Sequence, residues 1–292
     1  MDWAALGRHG EAAPLNAQLV GALRAAASLA AALEMPRAVR HYAALADRIG
    51  TALNARHWDP TRRVYVDMVD PVTGERDPRV SQHGNAACIL WDIAPREQWD
   101  SMVAYMTNPQ RMKFTAAPPI APTGDPYDAE HDVVRANTFY SHFVYRALCR
   151  AGRFDHALAL MRAHYGRMLA RGATTLWESF EPTASLCHGF SATPVYQLST
   201  EVLGVFPLEP GFTRFRVSPQ LADLAYARGV FPTVRGDVRV AWEHRGDGIE
   251  LEIGVPDGTR AQLTPPDGYH IAAGTAELGP GTRVIQLQSV VT

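Results

Sequence analysis

Three cysteines in 292 residues, Cys88, Cys149 and Cys187, are too few for a disulfide framework and do not have the paired spacing of a zinc site. Cys88 and Cys149 sit among apolar neighbours and read as small buried hydrophobes, so a reducing, cytoplasmic setting is the expectation. Long apolar runs are also missing. None approaches the roughly 20 residues of a membrane span, and residues 1–9 lack the apolar region of a signal peptide. Charge of one sign is scarce as well: 28 Lys and Arg against 30 Asp and Glu give a formal net charge of −2. The charges are interspersed, which leaves no basic surface for nucleic acid. There is no serine nucleophile elbow, no phosphate-cradling glycine loop and no grouping of metal ligands at fixed spacing. No cofactor and no metal are expected.

What is present begins with length: the chain can bury a large core and reads as one substantial domain plus a smaller one. Residues 15–33 form an Ala/Leu-rich helical segment stopped at Met35-Pro36, because the residue before proline disfavours the α region. Residues 37–58 follow with Val39, Tyr42, Leu45, Ala46, Ile49 and Leu53 on one face at helical spacing. Further helices are predicted at 82–93, 95–106, 137–151, 154–170 and 192–203, with a short strand at 63–67. Paired antiparallel helices with longer loops on one side suggest a toroid of helical hairpins. After Gly211 the period changes to two. Residues 214–217, 238–242 and 249–253 alternate apolar with polar, as strands with one buried face do, and Arg245-Gly246-Asp247-Gly248 reads as a hairpin turn. The expected domains are 1–207, helical, and 208–292, an antiparallel sandwich read as a structural module.

Chemistry concentrates in Thr174-Thr175-Leu176-Trp177-Glu178-Ser179-Phe180 and Ser185-Leu186-Cys187-His188-Gly189-Phe190-Ser191. A tryptophan, a carboxylate and a histidine converging on a turn suit a sugar: the indole covers an apolar face and the acid moves a proton or directs a water. A helix end also carries Trp-Glu for purely structural reasons, so the pair alone does not decide. Two further motifs stand in order behind it, 203–212 (LGVFPLEPGF) and 232–242 (PTVRGDVRVAW). Together these four segments resemble the end of the catalytic region of bacterial α-L-rhamnosidases and their C-terminal β-domain. Asp2-Trp3 is similar to the family's Gly-Asp-Trp turn with the glycine lost.

The resemblance implies a mainly α fold with a β domain, a partial six-hairpin α/α toroid followed by an antiparallel β-sandwich. It implies hydrolysis of terminal α-L-rhamnosyl bonds with inversion. Such a reaction uses one carboxylic acid to protonate the leaving oxygen and a second carboxylate, about 6.5–9.5 Å away, to deprotonate water. The resemblance carries the second role, general base, onto Glu178. His188 matches the family's loop histidine and can bond a sugar hydroxyl, while Trp177 can pack on the C6 methyl of rhamnose. Trp3 and Asp2 match a turn that borders the pocket. His83 and Asn85, at the start of a helix behind Ser81, either line the pocket or belong to a helix capped by Ser81. Asn137 to His142 is judged alike. The acidic run 125–132 reads as a solvated loop between Pro and Gly residues.

About seven helices are found where the complete toroid needs twelve, and the family's acid lies upstream of everything present. At roughly 25 cal/mol per Å², several hundred Å² of uncovered apolar flank forgo on the order of 10 kcal/mol, comparable to the stability of a domain. A truncated chain, or one that needs another chain to supply the missing helices, is therefore expected. Its partner in solution is expected to be a rhamnose-containing saccharide or glycoside. The alternative is a non-catalytic saccharide-binding or barrel-completing subunit.

Overall fold

Alanine and leucine dominate the first long helix of the computed structural model, which describes residues 2–7 and 9–290. Met1 and Thr292, the outer limits set for the two domains, lie outside the described residues. Helix α1 (Ala13–Ala32) has Pro14 in its first turn, where a missing N–H removes no intrahelical bond. It closes where Glu34 turns left-handed at φ 54° and the Met35 N–H donates to the Ala30 carbonyl at 2.9 Å. Pro36 then opens α2 (Pro36–Arg56), which packs back along α1. Gly21 lets α1 lie against Trp91, since a Cβ there would come within 2.4 Å of the indole ring.

Four more helices follow. They are α3 (Gln82–Leu90), α4 (Trp99–Met106), α5 (Thr138–Arg150) and α6 (Phe154–Ala170). The helix predicted at 154–170 occupies that range, and left-handed Gly152 and Gly172 bracket it. The segment 95–106 divides instead: Arg96–Gln98 is a 3-10 turn, and the regular helix starts at Trp99. Short strands tie the connecting loops together. They are β1 (Glu11–Ala12), β2 (Trp58–Asp59), β3 (Val64–Tyr65), β4 (Met68–Val69), β5 (Val80–Ser81), β6 (Met112–Lys113) and β7 (Val133–Val134). β5 and β7 run parallel with Val80 opposite Val133 and Ser81 opposite Val134. The two strands feed α3 and α5, so the first turns of these helices are brought side by side. That pairing positions the site.

The chain divides into two compact units, Met1–Thr193 and Pro194–Thr292, rather than at residue 207. Residues 194–207 join the second unit for identifiable reasons. The Trp242 indole donates to the Val202 carbonyl at 2.8 Å, and β8 (Val205–Pro207) pairs with β9 (Arg214–Val217). The expected helix at 192–203 is only α7 (Thr193–Gln197), continued by a π-helical turn over Leu198–Val202.

The remaining strands of the second unit are β10 (Tyr226–Thr233), β11 (Gly236–Arg245), β12 (Gly248–Val255), β13 (Arg260–Leu263), β14 (Tyr269–Ile271), β15 (Glu277–Leu278) and β16 (Gly281–Ser289). One sheet has the order β10-β11-β12-β16-β14 and is antiparallel throughout; the other is β15-β13-β9-β8, in which β9 and β13 run parallel. Alternation supplies the core: Val238, Val240 and Trp242 from β11, Ile249, Leu251 and Ile253 from β12, and Phe215 and Val217 from β9 are all buried. Among the described residues, no helix is long and apolar enough to cross a membrane.

Candidate active site

Helix α6 ends at Ala170, and the next 18 residues carry no regular helix, so Glu178 sits on a loop rather than at a helix end. The loop is nevertheless fixed. Glu178 N donates to the Ser185 carbonyl at 2.8 Å and His188 N to the Leu176 carbonyl at 2.7 Å, which folds the two arms of the loop against each other. From the side, the Thr138 hydroxyl donates to the Glu178 carbonyl and Phe180 N donates to Asn137 Oδ1 at 3.0 Å. The start of α5 thus clamps the backbone on both sides of Ser179, whose Oγ accepts from Asn137 Nδ2 at 3.0 Å.

The carboxylate has two differently held oxygens. Oε1 accepts from the Trp3 indole Nε1 at 3.2 Å across 175 residues of sequence. Oε2 lies 3.7 Å from His188 Nδ1 and accepts a long bond of 3.4 Å from Ser185 N. The Glu178 side chain is 13% exposed and that of His188 35%, so the group is sheltered but reachable. His188 is itself packed on Phe190 at 4.2 Å between ring centroids. Trp3, Glu178 and His188 therefore converge.

Asp2 stands behind them. Its carboxylate is 1% exposed and accepts from Asn137 N at 2.7 Å, His83 Nε2 at 2.8 Å and Trp3 N at 3.0 Å. A carboxylate only accepts, so His83 Nε2 carries the proton. Asn137 Nδ2 adds a bond to the Trp3 carbonyl at 3.2 Å. One buried group thereby joins the first turns of α3 and α5 to the residue whose indole holds Glu178. The Asp2 carboxylate is buried among its three donors. It orients the residue that follows it. Sequence reading gave Asn137 no fixed role, although an Asn just before a helical run is a recognisable cap and its Oδ1 does accept from Thr138 N.

Two expected site residues are buried. Trp177 is 5% exposed, which leaves too little of its indole available to cover a sugar methyl. Asn85 is fully buried and its amide is spent on backbone: Oδ1 accepts from Tyr65 N at 2.9 Å, and Nδ2 donates to the carbonyls of Tyr65 and Ser81. Asn85 fastens β3 to α3 and does not face a ligand. Ser81 caps α3 as the structural reading has it, accepting from Gly84 N at 3.3 Å. Its hydroxyl also donates to Asp67 at 2.6 Å, and burial lifts the Asp67 carboxyl up to about 6. The acidic run closes on itself, with Asp128 accepting from Glu130 N and His131, and Asp125 from Phe114 N. Among the described residues no three His, Cys, Asp or Glu side chains are grouped to hold a metal ion.

Comparison with known proteins matches residues 2–193 to the family described as the mannosylglycerate hydrolase MGH1-like glycoside hydrolase domain, and residues 204–276 to the bacterial α-L-rhamnosidase C-terminal domain. A curated α-L-rhamnosidase of Alteromonas sp. (strain LOR) is 35% identical over 117 residues, 36% of this chain and 13% of that protein. The crystal structure of the GH78 family rhamnosidase of Bacillus sp. GL1 aligns with a TM-score of 0.76 at 29% identity, covering 91% of this chain and 28% of that one. The α-L-rhamnosidase from Dictyoglumus thermophilum shares the fold at a TM-score of 0.70 and 17% identity, over 90% of this chain and 30% of that one. The chain thus spans under a third of the length of each of these relatives.

Proposed function

The chain belongs to the MGH1-like glycoside hydrolase family, and from that membership we propose that it carries the base side of an inverting site for terminal α-L-rhamnosyl bonds, with Glu178 as general base. The observation that carries this reading is the asymmetric seating of the Glu178 carboxylate. A base for water must keep one oxygen free to accept a proton and must not swing. The Trp3 indole holds Oε1, while Oε2, on the His188 side, carries only the long bond from Ser185 N and keeps a lone pair to take a proton from water. His188 then orients the water or a sugar hydroxyl. Trp3 and Asp2 position the base, while Trp177 and Asn85 are left no role. The rhamnosyl specificity rests on the names of the relatives. The proton donor for the leaving oxygen is assigned to the part of the relatives' length that this chain does not span.

A second reading, the chain as one side of a ring completed by other helices, is favoured by the outer face of α1. Leu15 (60% exposed), Leu19, Leu29 and Leu33 (69% exposed) lie along it at helical spacing, and covering each would contribute about 1–2 kcal/mol. The two readings are compatible, since a completed ring is where the acid would stand.

The test is hydrolysis of an aryl α-L-rhamnoside by the purified chain, alone and mixed with the N-terminal portion of a relative. Turnover in either arm, abolished by Glu178→Gln, supports the catalytic reading. Binding of L-rhamnose without turnover in any arm leaves the chain a saccharide-binding subunit.

A further inference from the structure

The larger sheet of the second unit has an outer face that its packing does not use. Cross-strand register places Tyr226, Glu243, Glu250 and Gln286 in one row, and Arg228, Ala241, Glu252 and Val284 in the next. Ala241 is the only short side chain in the middle of these rows, so the surface dips there. The result is a groove of about 420 Å³ whose wall residues include Tyr226, Arg228, Glu250 and Glu252. Tyr226 is 65% exposed, a large ring held out at the edge strand.

The polar groups around the groove divide into two sets. Glu243 is paired with Arg245, and Glu250 accepts from Gln286 Nε2 at 2.9 Å. Arg228 and Glu252 have no hydrogen-bond or ion-pair partner among the described residues, and they stand two strand spacings apart, about 10 Å, on either side of Ala241. No ion pair joins the two across Ala241, which leaves a donor and an acceptor facing one space. Three carboxylates stand against the guanidinium groups of Arg228 and of Arg245, which pairs with Glu243, so one negative charge is left over. That surplus repels an anion and gives a cation only a weak hold. A ring bearing hydroxyls that both donate and accept, with an apolar face to lay on Tyr226, matches every element.

We infer that this groove on β10, β11 and β12 is a saccharide-binding site, taking a short neutral oligosaccharide with one ring over Ala241 and against Tyr226. It is separate from Glu178 and does not depend on the hydrolytic reading. The Arg228 guanidinium donates to ring or hydroxyl oxygens, and the Glu252 carboxylate accepts from a hydroxyl pair.

The experiment is a titration of the ¹⁵N-labelled full chain with two neutral disaccharides, rutinose and cellobiose, followed by amide shifts. The expected result is a saturable response of Tyr226, Ala241 and Glu252 to at least one of them. Affinity should fall about tenfold or more in Tyr226→Ala and in Glu252→Gln, the loss expected when one charged or stacking contact is removed. Tyr226→Phe should keep the binding. These positions are exposed, so an unchanged melting temperature is expected and shows that folding is not what was lost. Glu178→Gln should leave the response intact. Shifts confined to residues 176–190, or none with either sugar, overturn the assignment while leaving the hydrolase reading untouched.

Discussion

Replacing Asp2 with alanine removes the acceptor on which three donors converge. Trp3 N loses a bond of 3.0 Å, Asn137 N one of 2.7 Å and His83 Nε2 one of 2.8 Å. The side chains of His83 and Asp2 are 0% and 1% exposed, so bulk water does not take over. An orphaned buried donor costs about 1–3 kcal/mol. Trp3 is only half-buried and is discounted, which leaves two donors and about 2–6 kcal/mol. Neighbouring losses are not additive, and a water entering the space left by the carboxylate recovers part, so about 3 kcal/mol is expected. With a urea slope of about 2 kcal/mol/M, the midpoint of the helical unit, read by circular dichroism, falls by about 1.5 M. Asp2→Asn keeps one acceptor oxygen and should lose about half as much. A midpoint for Asp2→Ala within about 0.25 M of wild type would refute the idea that this buried carboxylate ties the first turns of α3 and α5 to Trp3.

Three further outcomes are expected. Trp3→Phe keeps an aromatic ring but removes the donor to Glu178 Oε1. The bond is long, so the low end of the charged range, about 1.5 kcal/mol, applies, and turnover in a competent assembly should fall about tenfold; unchanged turnover would show that the indole does not orient the base. Burial raises the Asp67 carboxyl to about 6, so its stabilising effect is full below 3.8 and lost as pH rises through about 6, a change of about 3 kcal/mol. Asp67→Asn should flatten that limb of the stability curve, and parallel curves for the two proteins between pH 4 and 7 would contradict this. His164 has the opposite sign. Burial, with Arg135 and Arg167 nearby, lowers it to about 3, so its contribution is full above 6.5 and lost as pH falls toward about 3. His164→Gln should therefore shrink the acid-side loss seen by denaturation, and an unchanged acid limb would count against it.

Local signals were readable where local physics decides. Glycine at 152 and 172 brackets α6, and proline at 36 opens α2, so those limits follow from neighbouring residues alone. Period-two alternation found β9, β11 and β12 for the same reason. The candidate site is a different matter. That Glu178 faces His188 follows from one loop folding on itself, within reach of sequence reading. Resemblance set Trp3 only at the border of the pocket, and its bond to Glu178 went unforeseen because a contact across 175 residues leaves no trace in spacing. Asn85 shows the converse failure. A polar residue in the first turn of a helix near a pocket looks available, and only the path of β3 reveals that the backbone of Tyr65 consumes its amide. The length of the last helix was missed for a similar reason: Val202 is drawn into the second unit by Trp242, forty residues further along.

The most direct measurement is the steady-state hydrolysis of an aryl α-L-rhamnoside by wild type and Glu178→Gln, in whichever assembly of the chain turns over, with the anomer first released followed by NMR. A general base held as Glu178 is should give β-L-rhamnose first in the wild type. Its replacement by glutamine should lower kcat by about 10²–10⁴-fold with little change in KM. Turnover within a few-fold of wild type in Glu178→Gln, or release of the α anomer first, would contradict the role given to this carboxylate.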